Sequence, residues 1–255
     1  MIRNWRRDGV ALLAVLTMAG CTITGTAQSS PSRVSPQSAA IVYAVIGASD
    51  GVGVGAADPQ RDAWPQVFFR TALPESTVMY NLSIPGATVA SALEGELSEA
   101  LLVEPTLVTV WLNVNDIVAG VSPSEYEAEF DQLVSALRRG GAAQVLVANT
   151  PYLDRLPAYL GCRVGTPPPG VTCPPALKHT QPSDLNAEVD AYNSAIARVV
   201  QREHAILVDL HAQGEVPNDH PDWVGSDGFH PSTSGYVSIA AVFAAALSQA
   251  GKTAA

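Results

Sequence analysis

Five short apolar runs alternate along this chain with segments of helical length, and this alternation limits the fold more than any other feature. The runs occupy residues 41–46, 77–82, 107–112, 144–148 and 205–209. The helix-length segments occupy residues 61–73, 88–102, 124–139, 184–203 and 232–250. Nearly continuous apolar strands that alternate with helices are typical of a parallel sheet covered on both faces. We therefore predict a three-layer α/β/α sandwich around a central parallel sheet of about five strands.

The first twenty residues have the features of an export signal. Arg3, Arg6 and Arg7 precede an apolar segment at 10–19, which is shorter than the about 20 apolar residues that span a bilayer. The segment ends Leu-Thr-Met-Ala-Gly-Cys at Cys21 and resembles a bacterial lipobox, in which the cysteine is lipidated and becomes the mature N-terminus. Secretion through another peptidase and an uncleaved anchor are the alternatives. All three predict export, and the lipobox predicts a lipid anchor on the extracytoplasmic face of the membrane.

Composition separates a tether from the body of the chain. Residues 21–39, which follow the predicted signal peptide at 1–20, are rich in Ser, Thr, Gln and Pro, and this predicts a flexible tether. Residues 40–251 contain no long polar tract, and we expect them to form one globular domain that acts as a monomer. The formal net charge of -10 argues against a nucleic-acid partner, because such binding needs clustered Lys and Arg.

Residues 152–183 interrupt the alternation of strands and helices. This stretch carries seven prolines and shows no convincing period, so we predict a long loop without secondary structure of its own. Cys162 and Cys173 lie within it, and export to an oxidising compartment predicts a disulfide between them. Two free cysteines are the alternative. The sequence leaves open whether this loop covers a functional site.

A serine and a histidine with a nearby acid are the residues with the clearest chemical potential. The first apolar run stops at Gly47, and Ser49 follows it at the carboxyl end of the predicted strand, where open α/β sheets place their ligands. Near the other end of the chain, Asp227 precedes His230 by three residues. A serine hydroxyl becomes a useful nucleophile when an imidazole removes its proton and an aspartate orients the ring. These residues therefore predict a nucleophilic triad.

Four short blocks in order resemble the SGNH (GDSL-type) hydrolase family across the whole predicted domain. The nucleophile block is Gly47-Ala48-Ser49-Asp50, where Ala48 replaces the aspartate that the family usually has. The glycine block is Asn81-Leu82-Ser83-Ile84-Pro85-Gly86-Ala87-Thr88. The asparagine block is Asn113-Val114-Asn115-Asp116, with Asn113 where glycine is usual. The last block, Asp227-Gly228-Phe229-His230-Pro231, matches without departure.

The resemblance implies a serine esterase or lipase that cleaves carboxylic esters through an acyl-enzyme without a cofactor. Ser49, His230 and Asp227 would be the catalytic residues. The backbone amides of Ser49 and Gly86 and the side-chain amide of Asn115 would bind the oxyanion. The implied substrates are short-chain acyl esters, lipids or lysophospholipids, and acetyl groups on carbohydrate. An acyltransferase and a lipid-anchored binding protein that keeps the fold remain alternatives.

Two further interpretations use the same residues. Residues 47–51 also fit the G-x-S-x-G elbow of α/β-hydrolases, but there the elbow follows several strands and the acid and histidine are not adjacent. A metal site could draw on five acids and imidazoles, Asp219, His220, Asp222, Asp227 and His230. That group lacks both a helical His-Glu spacing and a cysteine ligand, so we predict no functional metal.

Overall fold

The computed structural model describes residues 40–171, 173, 180–214 and 216–253. Five strands form one parallel sheet in the order β2-β1-β3-β4-β5. They are β1 (Val42–Gly47), β2 (Val78–Asn81), β3 (Leu107–Trp111), β4 (Gln144–Ala148) and β5 (Ile206–Val208). The predicted five-stranded parallel sheet is confirmed. The predicted signal peptide, the tether and Cys21 lie outside the described residues.

Strand β1 lies between β2 and β3, so the loops that follow these three strands are neighbours in space. In the sheet, Val45 of β1 is paired with Asn81 of β2 and with Thr109 of β3. Every residue of β1 after the first is buried. The loop that carries Ser49 therefore begins at a well-packed position in the sheet, between the segment that carries Gly86 and the segment that carries Asn115.

Helices cover both faces of the sheet. They are α1 (Pro59–Asp62), α2 (Trp64–Ala72), α3 (Val89–Glu94), α4 (Glu96–Leu102), α5 (Val114–Ala119), α6 (Pro123–Arg138), α7 (Pro157–Val164), α8 (Pro182–Arg202), α9 (Val216–Asp219) and α10 (Thr233–Thr253). Alternate strand residues point to opposite faces, and each face builds its own apolar cluster. Ala44 packs in one cluster with Phe130 of α6, while Tyr43 packs in the other with Phe68 of α2 and Phe243 of α10. These two clusters complete the predicted three-layer sandwich.

Two of the predicted helices are divided in the structure. The segment predicted at 88–102 is broken at Gly95, which has φ -121° and ψ -77° and joins α3 to α4. Glycine is a poor helix former, so interrupting the helix at this residue costs little free energy. The segment predicted at 61–73 is broken at Ala63, and Pro65 then occupies the first turn of α2, where a proline ring does not clash with a preceding turn.

The prediction for residues 152–183 was wrong in one respect, because the stretch contains helix α7. The helix begins at Pro157, and its residues Ala158, Tyr159 and Cys162 are buried. Cys162 and Cys173 form the predicted disulfide, with an S–S distance of 2.01 Å. The helix has only eight residues among many prolines, so its period is too short to detect in the sequence. The six-residue helix α5 escaped prediction for the same reason.

Candidate active site

The predicted site residues come from segments that meet at the carboxyl edge of the sheet. Ser49 lies just past β1, Gly86 lies on the loop after β2, and Asn115 lies in the first turn of α5, directly after β3. Asp227 and His230 lie on the loop that precedes α10. Parallel strands bring their carboxyl ends to one edge, so residues far apart in sequence become neighbours there.

Ser49, His230 and Asp227 form a continuous chain of hydrogen bonds. The Ser49 Oγ lies 2.8 Å from His230 Nε2, and His230 Nδ1 lies 2.6 Å from Asp227 Oδ2. The other carboxylate oxygen, Oδ1, accepts hydrogen bonds from the backbone N–H groups of Phe229 at 2.9 Å and His230 at 3.0 Å. The aspartate is therefore fixed by its own loop, and it fixes the orientation of the imidazole ring.

The Asp227 carboxyl is held in its ionised form. Partial burial acts to raise its pKa, but the hydrogen bonds from the His230 ring and from the two backbone N–H groups outweigh burial and lower the pKa. An ionised carboxylate at Nδ1 keeps the ring proton on that nitrogen and leaves Nε2 free to accept a proton from Ser49.

Helix α7 packs directly against the loop that carries Asp227 and His230. The N–H of Ala158 donates to the carbonyl oxygen of Gly228 at 2.9 Å. Gly228 has φ +70°, and a β-carbon there would lie 2.9 Å from Ala158 N and from Pro157 Cβ. The position therefore requires glycine both for its backbone conformation and for the contact. The disulfide-bonded segment thus supports the acid-histidine loop.

We expect Gly228→Ala to disturb this loop more than an ordinary glycine substitution would. The left-handed backbone costs about 1–2 kcal/mol for a residue with a side chain, and the overlap with α7 adds a further 1–3 kcal/mol or so. Any reaction that depends on the hydrogen-bonded chain from Ser49 to Asp227 should slow at least about tenfold, because Asp227 and His230 must shift with the loop. Gly120→Ala is the matched control, since Gly120 has φ +75° but nothing within 4 Å of an added β-carbon. Equal losses of stability and activity in both variants would refute the role of the α7 contact.

Three hydrogen-bond donors lie on Ser49 itself and on the segments that follow the neighbouring strands β2 and β3. Within the described part of the chain, the backbone N–H groups of Ser49 and Gly86 donate to no protein acceptor. Gly86 has φ +83° and is exposed, with open space around it. The side-chain amide of Asn115 donates to the carbonyl oxygen of Ala87 at 2.8 Å. An amide nitrogen carries two hydrogens, so the second one is available to a ligand.

Asp116 and Asn113 have structural contacts beside these donors. The Asp116 carboxylate accepts from the N–H of Val89 at 3.0 Å, which joins α5 to the helix that follows the Gly86 loop. Burial raises the pKa of Asp116 to about 6, against the opposing effect of this hydrogen bond. Asn113 is only 2% exposed, and its side-chain amide donates to the carbonyl oxygen of Ala148 at 3.4 Å. Asn113 therefore braces β3 against β4 at the floor of the site.

Two polar side chains for which the sequence predicted no role form hydrogen bonds that hold the serine loop in place. The Asn81 amide donates to the carbonyl oxygen of Gly51 at 2.8 Å and ties the end of β2 to this loop. The Glu96 carboxyl, buried at the start of α4, accepts from the N–H of Gly47 at 3.0 Å. Burial raises the pKa of Glu96 to about 8, against the effect of that hydrogen bond. The carboxyl is therefore largely protonated at neutral pH.

Glu96 should make the stability of the protein depend on pH. Its pKa is raised from 4.5 to about 8, so the folded state keeps a proton that the unfolded state releases, and stability falls as pH rises through this window. We expect Glu96→Gln to reduce the loss of unfolding free energy between pH 5 and pH 8.5 by more than about 1 kcal/mol, as measured by urea titration. Glu99→Gln, an exposed neighbour in α4, is the control with the same change in charge. A pH profile unaltered by either substitution would show that Glu96 ionises normally.

A cleft of about 140 Å³ opens at the serine. Ser49, Asp50, Asn113, Asn115 and His230 line it, whereas Gly86 is not among its lining residues. Most other lining side chains are apolar or aromatic: Trp111, Val114, Pro151, Tyr152, Leu153, Leu156, Leu210, Trp223, Val224, Phe229, Pro231, Ile239 and Val242. Residues 151–156, from the start of the proline-rich stretch, thus form one wall of the cleft. An apolar cleft with a few convergent polar groups is the usual form of a small-molecule site.

Three of the five acids and imidazoles considered for a metal site make other contacts. Among the residues that the structure describes, no group of three or more His, Cys, Asp or Glu side chains is placed to hold a metal ion. The His220 ring stacks on Trp223 with ring centroids 3.8 Å apart. His230 and Asp227 bond to each other and to Ser49.

The structure is an α/β fold in which a serine, a histidine and an aspartate are joined by hydrogen bonds at the carboxyl edge of a parallel sheet, an arrangement typical of serine hydrolases. More closely, the chain belongs to the GDSL-like lipase/acylhydrolase family, whose family model matches residues 45–237. This match spans the segments that carry all five predicted site residues of the domain. No curated protein matches the chain.

Solved structures show the same fold at low sequence identity. The lipase/acylhydrolase from Enterococcus faecalis is 17% identical, with a TM-score of 0.60, and the match covers 80% of this chain and 93% of that one. The psychrotrophic esterase EstA from Pseudoalteromonas sp. is 16% identical, with a TM-score of 0.59 and coverages of 82% and 97%. The extracellular lipase from Streptomyces rimosus is 18% identical, with a TM-score of 0.55 and coverages of 81% and 100%.

Proposed function

We propose that this protein hydrolyses carboxylic esters through an acyl-enzyme formed on Ser49. The observation that carries the proposal is the hydrogen-bonded chain from Ser49 Oγ through His230 to Asp227, at the side of an apolar cleft. A serine in this arrangement has a base at its hydroxyl and a carboxylate behind the base, which is the requirement for nucleophilic catalysis. Membership of the GDSL-like lipase/acylhydrolase family supports the same chemistry.

In the first half-reaction, Ser49 would attack the ester carbonyl carbon. His230 Nε2 takes the proton from the hydroxyl as the new C–O bond forms, and Asp227 stabilises the imidazolium. The carbonyl oxygen becomes an oxyanion that accepts hydrogen bonds from the N–H groups of Ser49 and Gly86 and from the Asn115 amide. The imidazolium then gives its proton to the departing alkoxide, so the alcohol leaves neutral and the acyl group stays on Ser49.

In the second half-reaction, water would take the place of the alcohol. His230 removes a proton from the water, the resulting tetrahedral intermediate uses the same three donors, and its collapse releases the acid and restores Ser49. Each oxyanion donor typically contributes a factor of about 10²–10³ to turnover. All the residues in both steps come from one chain, which supports a monomer as the active form.

A fluorophosphonate probe tests the nucleophile directly. It should label the purified protein once, and peptide mapping should place the phosphonyl group on Ser49. Labelling should stop hydrolysis of p-nitrophenyl acetate in proportion to its extent. Labelling at another residue, or turnover that persists in fully labelled protein, would contradict the proposed mechanism. Labelling without any turnover of esters would instead support the binding-protein alternative.

We further propose that the enzyme is anchored in the membrane through a lipid on Cys21. This proposal rests on the lipobox-like sequence that ends at this cysteine. The intact mass of protein extracted from the membrane fraction should match a chain that begins at acylated Cys21. A mature chain that begins elsewhere and is found in the soluble fraction would rule the anchor out.

A further inference from the structure

One part of the cleft, called here the arm, runs along α10 away from the catalytic residues. Gly235, Ser238, Ile239 and Val242 all line it, and these positions, spaced by three, four and seven residues, share one face of α10. Seven residues of helix measure about 10 Å along the axis. The cleft therefore extends about two turns along α10, beginning beside His230.

The opposite wall of this arm belongs to the apolar core. Trp111, at the end of β3, is 7% exposed and Leu210, after β5, is 4% exposed, and both pack in the cluster that includes α10. Ile239 and Val242 also pack against this cluster, yet each retains some exposed surface. The arm is thus a space between the helix and the sheet that is bordered by aliphatic and aromatic side chains.

The chemistry of the lining selects against charged or strongly polar ligands. No Lys or Arg side chain lines the cleft within the described residues, so an anionic group would find no cationic side chain there. Along α10 the one hydroxyl that lines it belongs to Ser238. A sugar ring would find few hydrogen-bond partners there besides Ser238 and Gln213, so it would not replace all its hydrogen bonds to water. An alkyl chain would lose none.

We propose that this arm binds the acyl chain of the ester and sets a preference for unbranched acyl groups of about six to eight carbons. The inference rests on the proposed ester hydrolysis at Ser49. The whole cleft measures about 140 Å³, close to the cavity of about 150 Å³ that holds a six-carbon ring, and this volume limits the acyl group to medium length. The acyl group, unlike the alcohol, remains bonded to the enzyme between the two half-reactions. Apolar contacts in this arm would therefore act on the group that is bonded to Ser49 and takes part in both half-reactions.

The acyl preference can be measured with p-nitrophenyl esters of two to sixteen carbons, which keep the leaving group constant. We expect kcat/KM to rise about two- to fourfold for each added methylene up to about eight carbons and then to level off or fall. Acetate esters of linear alcohols of increasing length should differ by less than about threefold. A flat acyl series, or a length dependence confined to the alcohol series, would overturn the proposal.

Val242→Phe fills the arm and should lower kcat/KM for the octanoate ester at least tenfold while leaving the acetate ester within threefold. Val237→Phe is the matched control, because Val237 lies on the same helix, is 50% exposed and does not line the cleft. Its profile should match that of the wild type. Equal losses on both esters in a Val242→Phe protein with a normal melting temperature would contradict the assignment.

Val242→Ala provides a second test that does not depend on accommodating a larger side chain. Removal of two methyl groups deepens the arm, so the ratio of activity on the dodecanoate ester to that on the octanoate ester should rise at least threefold. An unchanged ratio would count against the proposal even where Val242→Phe fails to fold. Acetate hydrolysis that requires Ser49 supports the general mechanism independently, so loss of that activity and loss of the chain-length effect are separate outcomes.

Discussion

Replacement of Ser49 by alanine is expected to lower kcat for p-nitrophenyl acetate by about 10⁴–10⁶, since loss of the nucleophile of a triad has effects of this size. The Ser49 hydroxyl lies 2.8 Å from His230 Nε2, and among the described residues no other side chain is hydrogen-bonded to that nitrogen. The fold should be unaffected, because the hydroxyl makes this one side-chain hydrogen bond and the residue is only half-buried. The melting temperature should therefore stay within a few degrees of the wild type.

The control for this substitution is the other serine of the cleft. Ser238 lines the cleft from α10 but has no place in the hydrogen-bonded chain of Ser49, His230 and Asp227. Ser238→Ala should keep acetate hydrolysis within about threefold, as expected for a side chain that makes no contact specific to the transition state. If Ser49→Ala retained more than about a tenth of the activity and Ser238→Ala lost it, the nucleophile would lie on the helix.

The sequence predicts the sheet and the four segments that carry the site residues for clear physical reasons. Strands such as β1 are buried on both faces, so their residues are almost all apolar and the ends of the strands stand out. Ser49 follows the end of such a strand, and the glycines near it in the sequence indicate a turn. His230 and Asp227 are three residues apart, so one loop carries both, and no long-range contact is needed to place them together.

The residues that support the site could not be found in this way. Glu96 is one polar residue in a helical segment, and a helix with polar residues on one face gives no sign that this one is buried against Gly47. The contact between Gly228 and α7 joins segments separated by about seventy residues, through a helix that the surrounding prolines concealed. The arm along α10 depends on unfilled space bordered by Val242 and Trp111. The periodicity of a sequence indicates which side chains face the core, but it does not indicate where the packing leaves space.

Asn115→Ala is expected to lower kcat by about 10²–10³ with a smaller change in KM. The Asn115 amide is fixed by its hydrogen bond to Ala87 O at 2.8 Å, on the residue next to Gly86. Its remaining N–H would donate to an oxygen that carries negative charge only during the reaction, so its loss affects the transition state more than the bound ester. Steady-state kinetics on the acetate and hexanoate esters should show the same fractional loss of kcat for both.

The neighbouring Asn113 distinguishes an oxyanion donor from a structural amide. It also lines the cleft, but it is 2% exposed and its amide donates to Ala148 O at 3.4 Å, which links β3 to β4 below the site. Asn113→Gly should therefore lower the free energy of unfolding by about 1–3 kcal/mol, because a buried carbonyl loses its partner, while kcat stays within about tenfold. A stable Asn113→Gly protein whose kcat falls further than that of Asn115→Ala would mean that the donor lies two residues earlier in the chain. The oxyanion site would then have to be built around the start of α5 rather than its first turn, and Asn115 would be left with only its contact to Ala87.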